Sequence, residues 1–416
     1  MIERFEGGDA AALARPGGRQ DLALMDAVRG IVSDIRARGW EALVEQALRI
    51  DRAAPELVKV APFAAQARVT LPADAQAAMV LAKTNIEAFH RATRPLDVEI
   101  ETMPGLHVAK QWRPLPSAGL YIPGGIASLF STLMMLAIPA RIAGVERLIV
   151  VTPPRRGGGL NPAVALAAEL CEIDAIWTVG GAQAIAALAF GAGDIAPVDR
   201  ICGPGNAWVA AAKALVASLP GGPGIDLPAG PSELMVIADD SADPALVAAD
   251  LLSQAEHDRN AQVVLVSPSP TLIDAVEREF DSQASAIGGI YASARAIRCA
   301  DLDHAVSIAN AYAPEHLSLA TDSADALVAR ITNAGAIFAG HGASEAFGDY
   351  AAGSSHVLPT DGAARFTGGV STLTFMKAIT IQRVSPSAAR ALAAPVAALA
   401  RLEGLEAHAR SAEARA

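Results

Sequence analysis

The feature that most constrains the fold is a regular alternation of short apolar runs with alanine-rich segments, which begins near residue 118. The runs have the length of buried strands, and the alanine-rich segments have the length and spacing of helices. Strands and helices that alternate in this way form βαβ units around a parallel sheet. The predicted strands lie at 120–123, 148–153, 175–181 and 199–206, and the predicted helices at 128–143, 161–171, 183–190 and 207–217.

A segment dense in Gly and Pro at 219–233 interrupts this alternation, which then resumes with a strand at 233–239. Asp243 is placed to cap the next helix, with Pro244 at its first position. Further strands are predicted at 261–268, 316–320 and 335–339. The sequence therefore predicts two α/β units that meet near residue 231.

The segments on either side of these units have a different character. Roughly the first hundred residues carry apolar residues at helical spacing and are predicted to be mostly helical. The tail beyond about residue 378 is rich in Ala and Arg and poor in strand signal. We expect this tail to form a helical arm that is appended to the second unit.

The composition limits the possible partners and compartments. With 416 residues, 52% of them hydrophobic, the chain can bury large cores without disulfide bonds. The formal net charge is −11 and no run of Lys or Arg occurs, which argues against nucleic acid and anionic membranes as partners. Cys171, Cys202 and Cys299 are widely spaced, which fits a reducing compartment and argues against a cysteine-built zinc site.

Neither a secretion signal nor a membrane helix is indicated. The N-terminus lacks a basic segment followed by an apolar one. The most apolar stretch, residues 129–151, contains polar and charged residues that a membrane helix tolerates poorly. We therefore expect a soluble, cytoplasmic protein.

Familiar nucleotide and metal motifs are absent from the sequence, including G-x-G-x-x-G, the P-loop and H-E-x-x-H. Gly-rich turns nevertheless occur at 124–125, 180–181 and 203–205, each between a predicted strand and a predicted helix. Ligands of open α/β sheets bind at such turns, and helix N-termini attract phosphate. Each turn taken alone is equally well explained as a tight connection.

Two pairs of residues could carry chemistry. Gln254 and His257 lie three apart near a helix end and so share one face, where they could supply two metal ligands. Gln is an uncommon zinc ligand, so a surface pair is the simpler interpretation. Glu315 and His316 lie where a helix ends and a strand begins, and could form an acid–base pair. Two exposed polar residues at a strand start are again the simpler interpretation.

Further candidate ligands lie towards the C-terminus. Asp349 and His356 belong to a loop bounded by glycines, and His408 lies in the tail after Glu403. Carboxylate and imidazole groups bind hard to borderline metal ions. In isolation, Asp349 is as well explained as a turn former and His408 as one polar residue of a helical arm.

Seven long strings resemble histidinol dehydrogenase, and they follow the order of that family over nearly the whole chain. They are GLYIPGGIASLFSTLMMLAIPARIAGV (119–145), GGAQAIAALAFG (180–191), GPGNAWVAAAK (203–213), IDLPAGPSE (225–233), DLLSQAEHD (250–258), NAYAPEHLSL (310–319) and GDYAAGSSHVLPT (348–360). The EGLEAHA tail at 403–409 extends the resemblance to the arm.

The resemblance implies an α/β fold with two Rossmann-like parallel-sheet domains and a small helical C-terminal arm, in an intertwined homodimer. An NAD-binding domain at 121–231 would separate two parts of a substrate and zinc domain, at 1–120 and 232–377, and an arm at 378–416 would reach the partner subunit. The first part would include the N-terminal helical region. The implied reaction is the zinc-dependent oxidation of L-histidinol through L-histidinal to L-histidine with two NAD+, which completes histidine biosynthesis.

The resemblance also implies a role for particular residues. The implied zinc ligands are Gln254, His257, Asp349 and, from the other subunit, His408. The implied catalytic residues are Glu315 and His316, and the implied NAD contacts are Tyr121, Gln183 and Asn206. The implied substrate contacts are Ser232, Gln254, His257, His316, Asp349, Glu403 and His408. His356 lies in a motif near this site, whereas the stretch HGASEAF at 341–347 is expected to touch none of the assigned residues.

Two other functions compete with this one. A related enzyme could oxidise another small alcohol, such as a sulfonated diol, with the same metal and base pair but altered substrate contacts. A catalytically inactive nucleotide-binding or scaffold protein would have lost some site residues. Every assigned position is filled here, and PAGPSE and the EGLEAH tail match the histidinol type.

Overall fold

The computed structural model describes residues 2–7, 13–15, 22–124, 129–227, 230–257, 259–289, 292 and 294–416. Its strands are β1 (Ile2–Glu6), β2 (Glu56–Lys59), β3 (Val98–Met103), β4 (Leu106–Pro114), β5 (Ser117–Tyr121), β6 (Arg147–Thr152), β7 (Ala175–Thr178), β8 (Arg200–Cys202), β9 (Gly224–Ile225), β10 (Glu233–Ala238), β11 (Gln262–Ser267), β12 (Ala294–Arg298), β13 (His316–Ala320), β14 (Ala336–Ala339) and β15 (Met376–Val384).

The helices are α1 (Leu22–Arg38), α2 (Trp40–Ile50), α3 (Val60–Thr70), α4 (Ala73–Ala92), α5 (Phe130–Ala143), α6 (Pro162–Leu170), α7 (Gly181–Phe190), α8 (Ala207–Ser218), α9 (Pro244–Ala255), α10 (Pro270–Ala286), α11 (Leu302–Tyr312), α12 (Ala324–Val328), α13 (Glu345–Tyr350), α14 (Pro386–Leu402) and α15 (Glu406–Glu413). Gly125 of the first predicted glycine turn and Asp258 of the DLLSQAEHD string lie outside the described residues. Among the described residues, no helix is both long and apolar enough to cross a membrane.

The first sheet is parallel throughout and has six strands in the order β1-β12-β11-β10-β13-β14. Every residue of β10 and β11 is buried, because helices cover both faces of these central strands. α9 and α10 pack on one face, where Leu251 and Phe280 belong to the core. α11 and α12 pack on the other face, where Tyr312 and Leu327 belong to a second core.

The second sheet has the order β2-β7-β6-β5-β8-β9, in which β2 runs antiparallel to β7 and the other pairs are parallel. From β5 the chain continues to β6 and β7 on one side, and then returns to β8 and β9 on the other. This reversal opens a crevice at the carboxyl ends of β5 and β8. Open α/β sheets bind their ligands in such a crevice.

Helices from before and after β5 cover the second sheet together. One core joins α1 and α2 to α7 and α8, through residues such as Val28, Leu43 and Ile185. Another joins α3 and α4 to α5 and α6, through residues such as Ala64 and Leu133. The N-terminal helices therefore pack on the second sheet, whereas β1 and the described residues 13–15 contact the first.

A third, antiparallel sheet has the order β15-β4-β3. β15 pairs with β4 along its whole length, from Met376 opposite Pro114 to Val384 opposite Leu106. α14 and α15 then pack against each other through a small alanine cluster. This sheet attaches the C-terminal arm to the body of its own chain.

The predicted α/β architecture with parallel sheets is confirmed, and the predicted strands and helices agree with the structure to within a few residues. Asp243 caps α9 by accepting a hydrogen bond from the Ala245 N–H, with Pro244 at the first position. The predicted helical arm is present as α14 and α15, but it begins at Pro386 and not near residue 378, because β15 occupies Met376–Val384. β15 has a largely exposed surface and so lacks the apolar run that marks a buried strand.

The boundary expected at residue 120 also differs from the structure, since α1 to α4 pack with the second sheet and not the first. An amphipathic helix shows in its sequence that one face is buried. It does not show which sheet buries that face, so the sequence could not assign these helices.

Candidate active site

The loop after β8 approaches β5 so closely that it requires a glycine. Gly203 has φ +127°, and a side chain there would collide with the carbonyl oxygen of Tyr121. Two buried side chains fix this loop: the Gly203 N–H donates to Asp226 at 2.6 Å, and Lys213 donates to the Gly203 carbonyl at 2.9 Å. Lys213 and Asp226 also form an ion pair. The glycine turn is therefore held rigidly at the crevice of the second sheet.

The three predicted NAD contacts lie around this crevice. The Tyr121 hydroxyl accepts a hydrogen bond from the Gly181 N–H at 3.2 Å, and burial raises the pKa of Tyr121 to about 12. The Gln183 amide donates to Asp51 at 3.0 Å. Asn206 is exposed, and its side chain caps α8 by accepting from the N–H groups of residues 208 and 209. The N-termini of α7 and α8 can therefore attract an anionic ligand to this edge.

Glu315 and His316 lie at the opposite kind of edge, where the strands of the first sheet begin. His316 opens β13 and is paired with Leu234 of β10. α11 ends at Tyr312, the capping residue Ala313 has a positive φ of 55°, and Pro314 then leads into the strand. The turn allows two adjacent side chains to share one site. Both are nearly inaccessible, at 5% and 3% exposure, so neither is a surface residue at a strand start.

The main chain of Glu233, the first residue of β10, contacts both of these side chains. Its N–H donates to Glu315 Oε2 at 2.8 Å. Its carbonyl oxygen lies 3.0 Å from His316 Nδ1 and can only accept, so Nδ1 carries a proton. His316 Nε2 then lies 3.5 Å from Asp349 Oδ1. The imidazole ring also stacks on Phe338, with centroids 5.9 Å apart.

The C-terminal end of α9 and the short helix α13 complete the cluster. Gln254 Nε2 lies 3.3 Å from His257 Nδ1, as their spacing of three residues predicts. α13 packs against α9 and carries Asp349. Ligand atoms of His316, Glu345 and Asp349 lie within 4.8 Å of one another. The structure therefore brings Gln254, Asp349 and the acid–imidazole pair to one edge of the first sheet.

The cluster perturbs the protonation of its members. Burial raises the pKa of Glu315 and of Glu345 to about 8. Burial lowers the pKa of His316, but the nearby carboxylates outweigh burial and raise it to about 10. The pKa of Asp349 is lowered overall, because the charge and hydrogen bond of His316 outweigh its burial. Such shifts are frequent in catalytic sites.

Several buried polar atoms of the cluster lack a well-formed hydrogen bond among the described residues, although two of them, His316 Nε2 and Asp349 Oδ1, face each other at 3.5 Å. The others are Gln254 Oε1 and both carboxylate oxygens of Glu345. Orphaned polar atoms are costly unless a ligand satisfies them. Nitrogen and oxygen donors of this kind suit a divalent ion such as Zn2+. The donor set therefore fits a metal.

Glu345 is a member of this cluster that the sequence pattern did not predict. It is buried, and its Oε1 lies 3.8 Å from His316 Nδ1. The expectation that residues 341–347 touch none of the assigned positions is therefore wrong. The available signal was the spacing of four residues between Glu345 and Asp349, which places both on one face of a helix.

His356 connects the two sites. Its Nδ1 lies 3.0 Å from the Asp349 carbonyl oxygen and donates to it, which leaves Nε2 to accept from the Thr132 hydroxyl, also at 3.0 Å. Thr132 lies in the first turn of α5, the helix that follows β5 of the second sheet. One side chain thus spans from the crevice helix to the backbone of Asp349.

The remaining predicted substrate and metal residues are Ser232, Glu403 and His408, of which only Ser232 lies beside the cluster in the single chain. Ser232 is half-buried and directly precedes Glu233 at the start of β10. Glu403 ends α14 and His408 lies on α15, and both are exposed. Among the described residues, neither side chain forms a hydrogen bond or ion pair with the cluster. The fold of one chain therefore assembles only part of the predicted set.

A crevice at the switch point of one mainly parallel sheet and a buried acid–imidazole cluster at the end of another are typical of the active sites of α/β enzymes. The family model described as histidinol dehydrogenase matches residues 14–416. The chain belongs to the histidinol dehydrogenase family of oxidoreductases, as the resemblance in its sequence indicated.

Individual relatives agree with this assignment. A histidinol dehydrogenase from Cereibacter sphaeroides is 46% identical over 410 residues, which cover 95% of this chain and 93% of the relative. One from Rhizobium meliloti is 45% identical, with 92% and 90% of the two chains covered. The crystal structure of histidinol dehydrogenase from Elizabethkingia anophelis has a TM-score of 0.93 and 35% identity, and the match covers 100% of this chain and 98% of that one.

Proposed function

We propose that this chain is a cytoplasmic, zinc-dependent enzyme that oxidises L-histidinol through L-histidinal to L-histidine, with two NAD+ reduced. The observation that carries the proposal is the joint burial of Glu315 and His316 beside Asp349 and Gln254. Family membership and the names of the relatives support the substrate. The three free, buried cysteines fit a reducing compartment.

His316 is suited to take the alcohol proton as hydride leaves the substrate carbon. Because Nδ1 donates to the Glu233 carbonyl, the neutral ring has its lone pair on Nε2, on the side of Asp349. Neutral imidazole is an effective general base near pH 7. A cation bound by Asp349 would offset the negative charge of the carboxylates that raise the pKa of His316. The cation would therefore favour the neutral form of the ring.

Glu315 is suited to activate the water that attacks the aldehyde. Burial raises its pKa to about 8, so its carboxylate is a stronger base than that of an exposed glutamate. The Glu233 N–H holds one oxygen, which fixes the orientation of the carboxyl group. The resulting hydrate can lose a second hydride, so two adjacent residues can serve two successive oxidations.

Gln254, His257 and Asp349 would hold the zinc together with His408 from a second copy of the chain. When bound, the metal supplies a Lewis-acidic anchor for the imidazole and amine of histidinol. The unpartnered oxygens of Gln254 and Asp349 support this role. We expect removal of the metal by a chelator to abolish histidinol binding and to preserve NAD+ binding, measured by calorimetry. Tight binding of histidinol by the metal-free protein would refute the anchor.

Tyr121, Gln183 and Asn206 would contact NAD+, with its phosphates at the N-termini of α7 and α8. When bound, the cofactor accepts the hydride. The decisive measurement is the NADH formed from a limiting amount of L-histidinol. Two NADH for each histidinol would support the full oxidation to histidine, whereas one would indicate a simple alcohol dehydrogenase. No NADH from histidinol but formation from another small alcohol would favour the alternative substrate.

A homodimer would complete the site through the C-terminal arm. α14 and α15 expose large apolar side chains, including Leu399 (64%) and Leu402 (84%). Exposed apolar surface of this kind is typical of protein interfaces. Truncation after Arg401 should therefore cause loss of bound zinc and of activity, measured by metal analysis and NADH formation. Replacement of the exposed His341 by Asn serves as a control that should retain both. A fully active truncated chain would refute the shared site.

A further inference from the structure

Arg15, in the short described segment 13–15, places a largely buried guanidinium group next to β10. Its Nη2 donates to Glu233 Oε2 at 2.9 Å, and its Nε donates to Oε1, so the pair is bidentate. The Glu233 side chain is only 1% exposed. A planar guanidinium fixes a carboxylate in both position and angle.

The same guanidinium also holds the end of α11. Nη2 donates to the carbonyl oxygen of Tyr312 at 2.8 Å, and Cζ lies 3.8 Å from the centroid of the Tyr312 ring. The Asp361 N–H donates to Glu233 Oε1 at 3.1 Å and extends the network. Arg15 therefore joins three segments that are distant in sequence.

Two of these segments hold the acid–imidazole pair. The backbone of Glu233 binds both Glu315 and His316. The turn after Tyr312 contains Ala313 at positive φ and leads directly into Glu315. Displacement of either segment would move the proton-transfer atoms, and shifts of about 1 Å can cost 10²-fold in rate.

We infer that Arg15 is a positioning residue for Glu315 and His316, and that it acts through the backbone of Glu233 and the turn at Tyr312–Ala313. This inference rests on the proposed function, in which those two residues move protons. Arg15 touches neither substrate nor cofactor in this role. Its loss should therefore lower kcat and leave the KM for NAD+ unchanged.

The first experiment compares Arg15→Gln, Arg15→Lys and the control Arg4→Gln. Arg4 is a half-exposed arginine that also pairs with carboxylates, those of Asp274 and Glu277, far from the cluster. Arg15→Gln should lower kcat roughly 10- to 100-fold. Arg15→Lys retains the charge without the bidentate geometry and should recover only part of the loss. Arg4→Gln should match the wild type. Wild-type kcat in both Arg15 variants would overturn the inference, and Arg15→Lys decides it if Arg15→Gln does not fold.

The second experiment separates positioning from general structural damage. In a Glu315→Gln, His316→Asn background, the residual rate is measured with enzyme in excess, with and without Arg15→Gln. A positioning residue should have little further effect there, because the groups that it orients are gone. If Arg15→Gln lowered the rate by the same factor in the wild type and in the double variant, the inference would be overturned.

Hydrogen exchange at the Glu233 amide, followed by mass spectrometry, provides a readout that is independent of turnover. Arg15→Gln should accelerate this exchange at least about tenfold if Arg15 orders the Glu233 backbone. If the wild-type chain forms no NADH from histidinol, the proposed function is refuted. The exchange measurement still tests whether Arg15 orders the Glu233 backbone, and exchange that is unchanged in Arg15→Gln would overturn that claim.

Discussion

The crevice and the cluster lie at opposite strand ends of two six-stranded sheets, one parallel throughout and the other parallel except for β2. The crevice lies at the carboxyl ends of β5, β7 and β8, where helices begin, and the cluster lies at the amino ends of β10 and β13, where α9 ends. Helix N-termini carry partial positive charge and C-termini partial negative charge. One architecture thus offers an edge suited to a phosphate and an edge suited to a cation.

The two regions also differ in the groups that they present. Amide, phenol and backbone groups surround the crevice, together with the Asp51 carboxylate and the buried Lys213–Asp226 ion pair. The cluster instead gathers Glu315, Glu345 and Asp349 around His316. We conclude that the crevice is preorganised by shape and the cluster by charge. His356 contacts both regions, since it binds Thr132 on the side of the crevice and the Asp349 backbone on the side of the cluster.

The largest effect is expected from removing the bases of the cluster. Glu315→Gln retains the side-chain shape, so histidinal oxidation should fall about 10²- to 10⁴-fold while histidinol oxidation falls far less. His316→Asn should slow the alcohol step by a similar factor. Single-turnover NADH formation from each substrate measures both effects, and NAD+ binding should remain unchanged in either variant. Equal losses in both steps for Glu315→Gln would contradict separate roles.

Gly203→Ala tests whether shape dominates in the crevice. The added Cβ would meet the Tyr121 carbonyl at a positive φ, which should lower the free energy of unfolding by roughly 2–5 kcal/mol. NAD+ affinity should fall with it, whereas the content of bound metal should persist in the folded fraction. Gly157→Ala is the matched control, since Gly157 also has positive φ but open space around it. Similar losses in both variants would show that strain alone matters.

His90 tests the conclusion that the neighbouring carboxylates, and not burial, raise the pKa of His316. It is buried like His316, but both of its ring nitrogens lack partners among the described residues, and burial lowers its pKa to about 4. The unfolded chain then binds more protons below about pH 6.5, so stability is lost as the pH falls towards 4. The loss should reach on the order of 3 kcal/mol.

The measurement is the urea midpoint of unfolding between pH 7 and pH 4.5, for the wild type and His90→Met. His90→Met should flatten the acid slope, because the variant has no proton to bind at this position. Met79→Leu, a buried change on the same helix without a titratable group, should leave the slope as it is. An unaltered slope in His90→Met would show that His90 does not titrate as its burial requires.

The smallest effect is expected at Asn206, which caps α8. Asn206→Ala should cost about 1 kcal/mol of stability and weaken NAD+ binding. Asn206→Asp retains the cap but adds a negative charge, so it should keep the melting temperature and still weaken NAD+ binding. Thermal unfolding and NAD+ titration separate the two effects. Normal NAD+ affinity in the Asp variant would contradict a cofactor role at this position.

Much of the fold was predictable because its signals are local. The alternation of apolar runs and Ala-rich helices marked β5 to β8, and Asp243–Pro244 marked the start of α9. β15 escaped prediction because its partner, β4, lies far away in the sequence and its surface is largely exposed. Pairing between distant segments leaves no local signature of this kind.

The candidate site was predictable in part for the same reason. Residue types and spacings marked Gln254 with His257 and Glu315 with His316. Glu345 and Glu233 were missed, because a carboxylate in a short helix and one at a strand start resemble ordinary surface residues. The deep burial of these carboxylates arises only when β10, β13 and α13 pack together.

By itself, the sequence determined the alternating α/β architecture, the glycine turn at Gly203 and the family to which the chain belongs. Each of these is encoded by patterns or motifs of neighbouring residues. Only the tertiary structure decided which sheet buries the N-terminal helices and that Arg15 meets Glu233. It also decided that four titratable groups share one buried edge. Those outcomes depend on contacts between segments that are separated in the sequence, by 218 residues for Arg15 and Glu233. The free energy of such contacts comes from burial and charge in three dimensions.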